Sequence, residues 1–144
     1  MAGTTVDAVQ RTVQKSIEWL HDLAADLGVD ERTAWRVLRA YLQLLRDRLT
    51  VDEAAQLAAQ LPHLLRGVFY EGFDPSRQPE RIRDREVFLE RLRERAQLAD
   101  AEEAANVAAA ATRVLRRHIT EGEFEDLLAQ LPAEIRDVLV PDSP

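Results

Sequence analysis

Apolar residues recur every three or four positions along nearly the whole chain, the period of helices that each bury one face. Val6, Val9, Val13, Ile17, Leu20, Ala24 and Leu27 make a first stripe, and Gly28 follows it where a left-handed residue ends a helix at least cost. Asp30 is placed to cap a second helix carrying Ala34, Val37, Leu38, Tyr41, Leu45 and Leu49. Thr50 and Glu53 have the spacing of a capping box, in which each side chain satisfies the other's free backbone N–H. That box opens a short third helix through Leu57 to Gln60. Pro62 suits the first turn of a fourth, where its missing N–H leaves nothing unpaired, and Gly72 breaks that helix beyond Tyr70.

Pro75, Ser76 and Pro79 mark residues 73–83 as a loop. Asp84 can cap a fifth helix with Val87, Phe88, Leu92 and Ala96 turned inward. Asp100 with Glu103, and Thr120 with Glu123, supply capping boxes for a sixth and a seventh helix. Pro132 opens an eighth that ends near Val140, and residues 141–144 read as a disordered tail. No segment alternates with the period of two that a half-buried strand needs. The pattern predicts an all-α fold, one compact domain of eight helices over residues 5–140.

The chain also repeats itself. Residues 34–69 align with 104–139 at a constant offset of 70 without a gap, and fourteen of the 36 paired positions are identical. Among the identities are Arg46/Arg116, Thr50/Thr120, Glu53/Glu123, Gln60/Gln130, Pro62/Pro132 and Arg66/Arg136. Shifted by one residue, Trp19, Leu20 and Leu23 match Phe88, Leu89 and Leu92. The expectation is two tandem four-helix repeats, residues 5–72 and 84–140, joined by the 73–83 loop and packed about a pseudo-twofold axis. Trp35, Leu38, Tyr41 and Leu42 stand where the second copy has Ala105, Ala108, Ala111 and Thr112. Large residues on one helix and small ones on the other are the complement that close packing requires. What both copies carry reads as fold, and what one alone carries is a candidate for function.

Composition narrows the function classes. A chain of 144 residues can build one core. A net charge of −7 argues against whole-surface attraction to nucleic acid or to anionic lipid. No apolar run is long enough to cross a bilayer, and Met1 to Gln10 contain no apolar signal segment, so the expected location is the cytoplasm. The absence of cysteine removes disulfides, thiolate nucleophiles and cysteine-ligated metals.

Arg39-Ala40-Tyr41, Leu61-Pro62, the run Arg66 to Phe73, Phe88-Leu89, Gln130-Leu131-Pro132 and Arg136 together resemble a bacterial family catalogued as domain of unknown function 2267 (DUF2267). The resemblance extends from Ile17 to Leu139, and Tyr70-Glu71-Gly72-Phe73 is its most specific part. It implies a small soluble helical protein and transfers no catalytic residue.

Three groups of residues stand out chemically. Tyr70, Glu71 and Phe73 belong to the first copy alone and combine aromatic rings with a carboxylate, a composition suited to a docking spot or pocket rim. The plainer reading is that the segment anchors the connection between the copies. Trp35, Leu42 and Leu44 give the second helix more apolar circumference than one buried face needs; they are either core or an exposed patch. The repeated arginines, 46, 66, 116 and 136, read as ion-pair partners or helix C-caps, and the Arg/Glu-rich window 77–95 as a salt-bridged solvent face. His21, His63 and His118 show no ligand spacing on one helix, so no metal and no cofactor is expected. The chain has no nucleophile-elbow, phosphate-loop or dinucleotide motif. The leading expectation is a non-catalytic interaction or adaptor module that binds a protein partner or itself. The alternative is a small-molecule-binding protein with an aromatic pocket between the copies, lined by Trp35, Tyr41 and Tyr70. An enzyme ranks third.

Overall fold

A computed structural model describes residues 2–141. Among the described residues the chain forms eight α-helices and no strand. They are α1 (Ala2–Leu27), α2 (Glu31–Arg46), α3 (Val51–Gln60), α4 (His63–Tyr70), α5 (Arg85–Ala96), α6 (Ala101–His118), α7 (Glu121–Gln130) and α8 (Ala133–Leu139), with a 3-10 turn at Pro75–Arg77. Of the tail expected at 141–144, residues 142–144 lie outside the described residues.

The helix boundaries follow local chemistry. Asp30, Asp84 and Asp100 accept from backbone N–H groups in the first turns of α2, α5 and α6. Gly28 and Gly72, at φ of 66° and 71°, make the left-handed turns after α1 and α4. Pro62 and Pro132 sit one residue earlier than expected, at the N-cap positions of α4 and α8, with extended ψ values of 147° and 150°.

The capping boxes of α3 and α7 are only half formed within each copy. Thr50 and Thr120 do accept from the amides of Glu53 and Glu123, at 3.2 Å each. The reciprocal arm comes from the other copy instead. The Thr50 amide donates to Gln130 Oε1 and the Thr120 amide to Gln60 Oε1, both at 3.1 Å. Gln60 and Gln130 are themselves a repeat pair, so the exchange is mutual. The two glutamates are thereby released from capping and turn into the contact between α3 and α7.

Neighbouring helices pair off in the same crossed way. α1 lies on α2 of its own copy and on α6 of the other; α5 lies on α6 and on α2. α4 closes on α1 and α2 as α8 closes on α5 and α6. One core results, in which Tyr41, Phe69, Phe88 and Phe124 are the largest fully buried side chains. α2 meets α6 through the size complement expected: the Tyr41 hydroxyl lies 2.9 Å from Thr112 Oγ1, and Thr112 donates onward to the Ala108 carbonyl.

Two helices bury a face turned in part from the one read from spacing. On α1, Trp19, Leu23 and Ser16 are buried, Ile17, Leu20, Ala24 and Leu27 are half-buried, and Val6, Val9 and Val13 stand in solvent. The neighbours α2 and α6 take up the face that carries the indole, the larger apolar body. On α5, Leu89 joins Phe88, Leu92 and Ala96 inside while Val87 faces out.

Candidate functional site

The first-copy aromatic segment is held at its backbone. Tyr70 and Phe73 are half-buried and meet edge to face with ring centroids 5.3 Å apart. Arg46 reaches under them, donating to the Phe69 and Glu71 carbonyls, and its guanidinium lies 5.8 Å from the Phe73 ring centroid. Gln43 donates to the Val68 carbonyl, and the exposed Glu71 pairs with Arg39 at 3.1 Å. α2 thus takes up the last carbonyls of α4, the groups a helix C-terminus leaves unsatisfied.

The α2 candidates are not gathered around a pocket. Tyr41, Leu42 and Leu44 are core residues. Only Trp35 reaches the surface in part, in a shallow depression of about 370 Å³ shared with Arg36, Arg39 and Arg95. Tyr41 and Tyr70 do not line it.

The connection after α4 is fastened to the corner at Arg46, Asp47 and Arg48. The Glu80 amide donates to the Asp47 carbonyl, Gln78 to the Arg46 carbonyl, and Arg48 to the Ile82 carbonyl. The Glu80 carboxylate bridges Arg48 at 3.1 Å and Arg91 at 2.7 Å. Burial pushes the Arg48 guanidinium down from its ordinary value, opposed by Glu80 and Asp47. The matching corner of the second copy, Arg116-Arg117-His118, is held by α1. His118 meets Asp22 at 2.7 Å, and Arg117 meets Asp26 at 3.1 Å. Charges are exchanged between the copies: Arg95 on α5 pairs with Asp47 at 3.5 Å where Asp26 on α1 pairs with Arg117. Of the other repeated arginines, Arg66 caps α3 by donating to the Ala58 carbonyl at 2.9 Å, and Arg116 pairs with Glu121 at 2.6 Å.

The largest difference between the copies is the length of their first helices. Aligned on Trp19 and Phe88, α5 begins at Arg85 while α1 continues back through residues 2–15. At 1.5 Å per residue this extension adds about 20 Å of helix. On one side it presents Val6, Val9 and Val13, exposed to 53%, 58% and 41%. Beside it stands Leu64, exposed to 45%, whose amide donates to Thr12 Oγ1 at 3.1 Å. The second copy has Glu134 at the position of Leu64.

On its other side the extension overhangs the junction of α3 and α4, leaving a cleft of about 580 Å³. Arg11, Lys15 and Glu18 line one wall, Gln60 and His63 the other, and Trp19 and His118 close the inner end, stacked with centroids 4.8 Å apart. By spacing alone Val6, Val9 and Val13 belong to a buried stripe, and nothing sets Arg11 and Lys15 apart. The signal was present in the sequence: the stripe begins at Val6, far ahead of Trp19, whereas Asp84 caps α5 immediately before Phe88. Among the described residues, no three of His, Asp and Glu are grouped to hold a metal ion, and no helix is long and apolar enough to cross a membrane.

Residues 17–138 match the model of a family described as an uncharacterized conserved protein, DUF2267. The match begins just after the α1 extension. No curated protein matches the chain.

Proposed function

The chain belongs to the DUF2267 family, and from that premise we propose that it is a non-catalytic cytoplasmic interaction module whose partner-facing surface is the apolar side of the α1 extension. The observation that supports this reading is the exposed row Val6, Val9 and Val13 on an element the second copy lacks. Apolar side chains aligned on one helix face and left in water are the usual mark of a surface that another chain covers. Glu123, whose carboxyl is pushed up by burial, is sealed between α3 and α7 with 8% of its surface exposed, out of reach of a substrate.

In this reading the Tyr70–Phe73 segment is a clasp that ties the connection to α2, not the docking spot. Arg46 and Gln43 occupy its backbone, and Tyr70 and Phe73 cover each other.

The test compares the native chain with Val9→Asp/Val13→Asp by quantitative affinity purification and by light scattering. A partner, or a dimer, present with the native chain and lost with the variant supports the reading. Identical recovery and identical mass for the two proteins rejects it.

A further inference from the structure

We propose that the cleft beneath the α1 extension is a binding site for a small organic oxyanion, a phosphate or a carboxylate, held between Arg11 and Lys15 on α1 and the first turn of α4. The valine face lies on the other side of the extension, and Arg11 borders both it and the cleft.

Its walls supply donors with little to receive them. Neither Arg11, Lys15 nor His63 has a carboxylate within 4.0 Å among the described residues, and Glu18 is the only acid lining the cleft. In a chain of net charge −7, cations left unpaired around one concavity make a local reversal of sign.

The first turn of α4 adds backbone donors. Pro62 provides no side-chain cap. Thr12 takes the Leu64 amide, and the amide of His63, which lines the cleft, has no acceptor among the described residues. A helix N-terminus with a free N–H attracts anions, and His63 at this one lines the same cleft as Arg11 and Lys15.

Gln60 shows the same bias. It uses Oε1 to accept from the Thr120 amide, which leaves its Nε2 without a partner at the cleft wall. Its repeat counterpart Gln130 instead spends Nε2 on Glu53 Oε1, at 3.3 Å. The cleft, at about 580 Å³, falls within the range of roughly 300–1,000 Å³ usual for small-molecule sites. That leaves room for the organic body that carries the oxyanion.

The experiment is a two-dimensional amide NMR titration of the full chain with sodium phosphate and, separately, with sodium benzoate, at ionic strength held constant with sodium chloride. Saturable shifts at the His63 amide are expected with at least one probe. Arg11→Gln/Lys15→Gln should weaken that binding about tenfold or more, the effect of losing a charge-assisted hydrogen bond. Arg81→Gln/Arg83→Gln, on the remote connection, should bind as the native chain does. Saturation by phosphate alone identifies a phosphoryl ligand, and by benzoate alone a carboxylate. The proposal is overturned if both probes give the unsaturating shifts of chloride. It is equally overturned if the Arg11/Lys15 variant, with a native-like dispersed spectrum, binds unchanged, or if the remote variant loses as much. Arg11→Glu checks the sign of the site, since it must abolish binding wherever neutral glutamine only weakens it.

Discussion

Glu53 and Glu123 meet across the contact between α3 and α7, 5% and 8% exposed, and each leaves its Oε2 without a protein partner. They are equivalent positions of the repeat, brought together because Gln130 and Gln60 have taken over the capping that the glutamates would otherwise perform. Two facing buried carboxylates repel, and a proton held on one gives the pair the donor it lacks.

That arrangement makes stability depend on pH. Burial, then the facing Glu53 and Asp126, push Glu123 up to about 8 from an ordinary value of 4.5. The folded chain therefore binds this proton more tightly than the unfolded chain does. The stability so gained is complete below about pH 4.5 and is lost as pH rises through about 8. Glu123→Gln places an amide donor where the proton was. Urea melts at pH 5, 7 and 9 should show the variant more stable than the native chain at pH 9, with the difference closing towards pH 5. A native-like pH slope in the variant would refute this.

The mutual exchange at the helix starts predicts unequal costs within equal motifs. Thr50→Ala and Thr120→Ala should each cost on the order of 1 kcal/mol, the usual loss of an N-cap. Gln130→Ala should cost more than Gln60→Ala, because Gln130 serves both the Thr50 amide and Glu53 while Gln60 serves only the Thr120 amide. Denaturation midpoints of the four variants rank these effects.

Tyr41 and Thr112 offer a directional test of the inter-copy contact. Tyr41→Phe removes one hydroxyl and leaves Thr112 bonded to the Ala108 carbonyl, a loss of about 1 kcal/mol. Thr112→Ala strands the buried Tyr41 hydroxyl and should cost more, about 2 kcal/mol. The double variant should then be less destabilised than the sum of the singles, as measured in a double-mutant cycle.

The clasp predicts the reverse of the valine face. Tyr70→Ala/Phe73→Ala should lower the melting temperature and leave partner recovery intact, whereas Val9→Asp/Val13→Asp should leave the melting temperature nearly unchanged and remove recovery. Arg46→Ala should be the most destabilising change at the clasp, about 3 kcal/mol, since it uncovers two carbonyls and leaves the buried Asp47 with Arg95 alone. Calorimetry and affinity purification on the same preparations separate the two surfaces.

Local chemistry was legible in the residues themselves. Asp30, Gly28, Asp84 and Gly72 act within a turn of their own positions, so side-chain type and spacing suffice to place the eight helices and to exclude strands. The repeat likewise exposed which positions answer to one another. Tertiary contact alone decided how those positions are used. The Thr50 and Thr120 boxes are completed by glutamines 80 and 60 residues away, which no local rule couples to them. Periodicity marked Val6 to Leu27 as one stripe, but which side of α1 is buried, and where burial begins, depends on where α2 and α6 lie and where they end. Arg11 and Lys15 look like any solvated helix charges in one dimension. They become a candidate site only because the fold carries the α1 extension over the free N-terminus of α4. Hydrogen bonding along a helix is local, while burial and charge convergence are set by distance in space, and that difference divides what the sequence determined from what the tertiary structure decided.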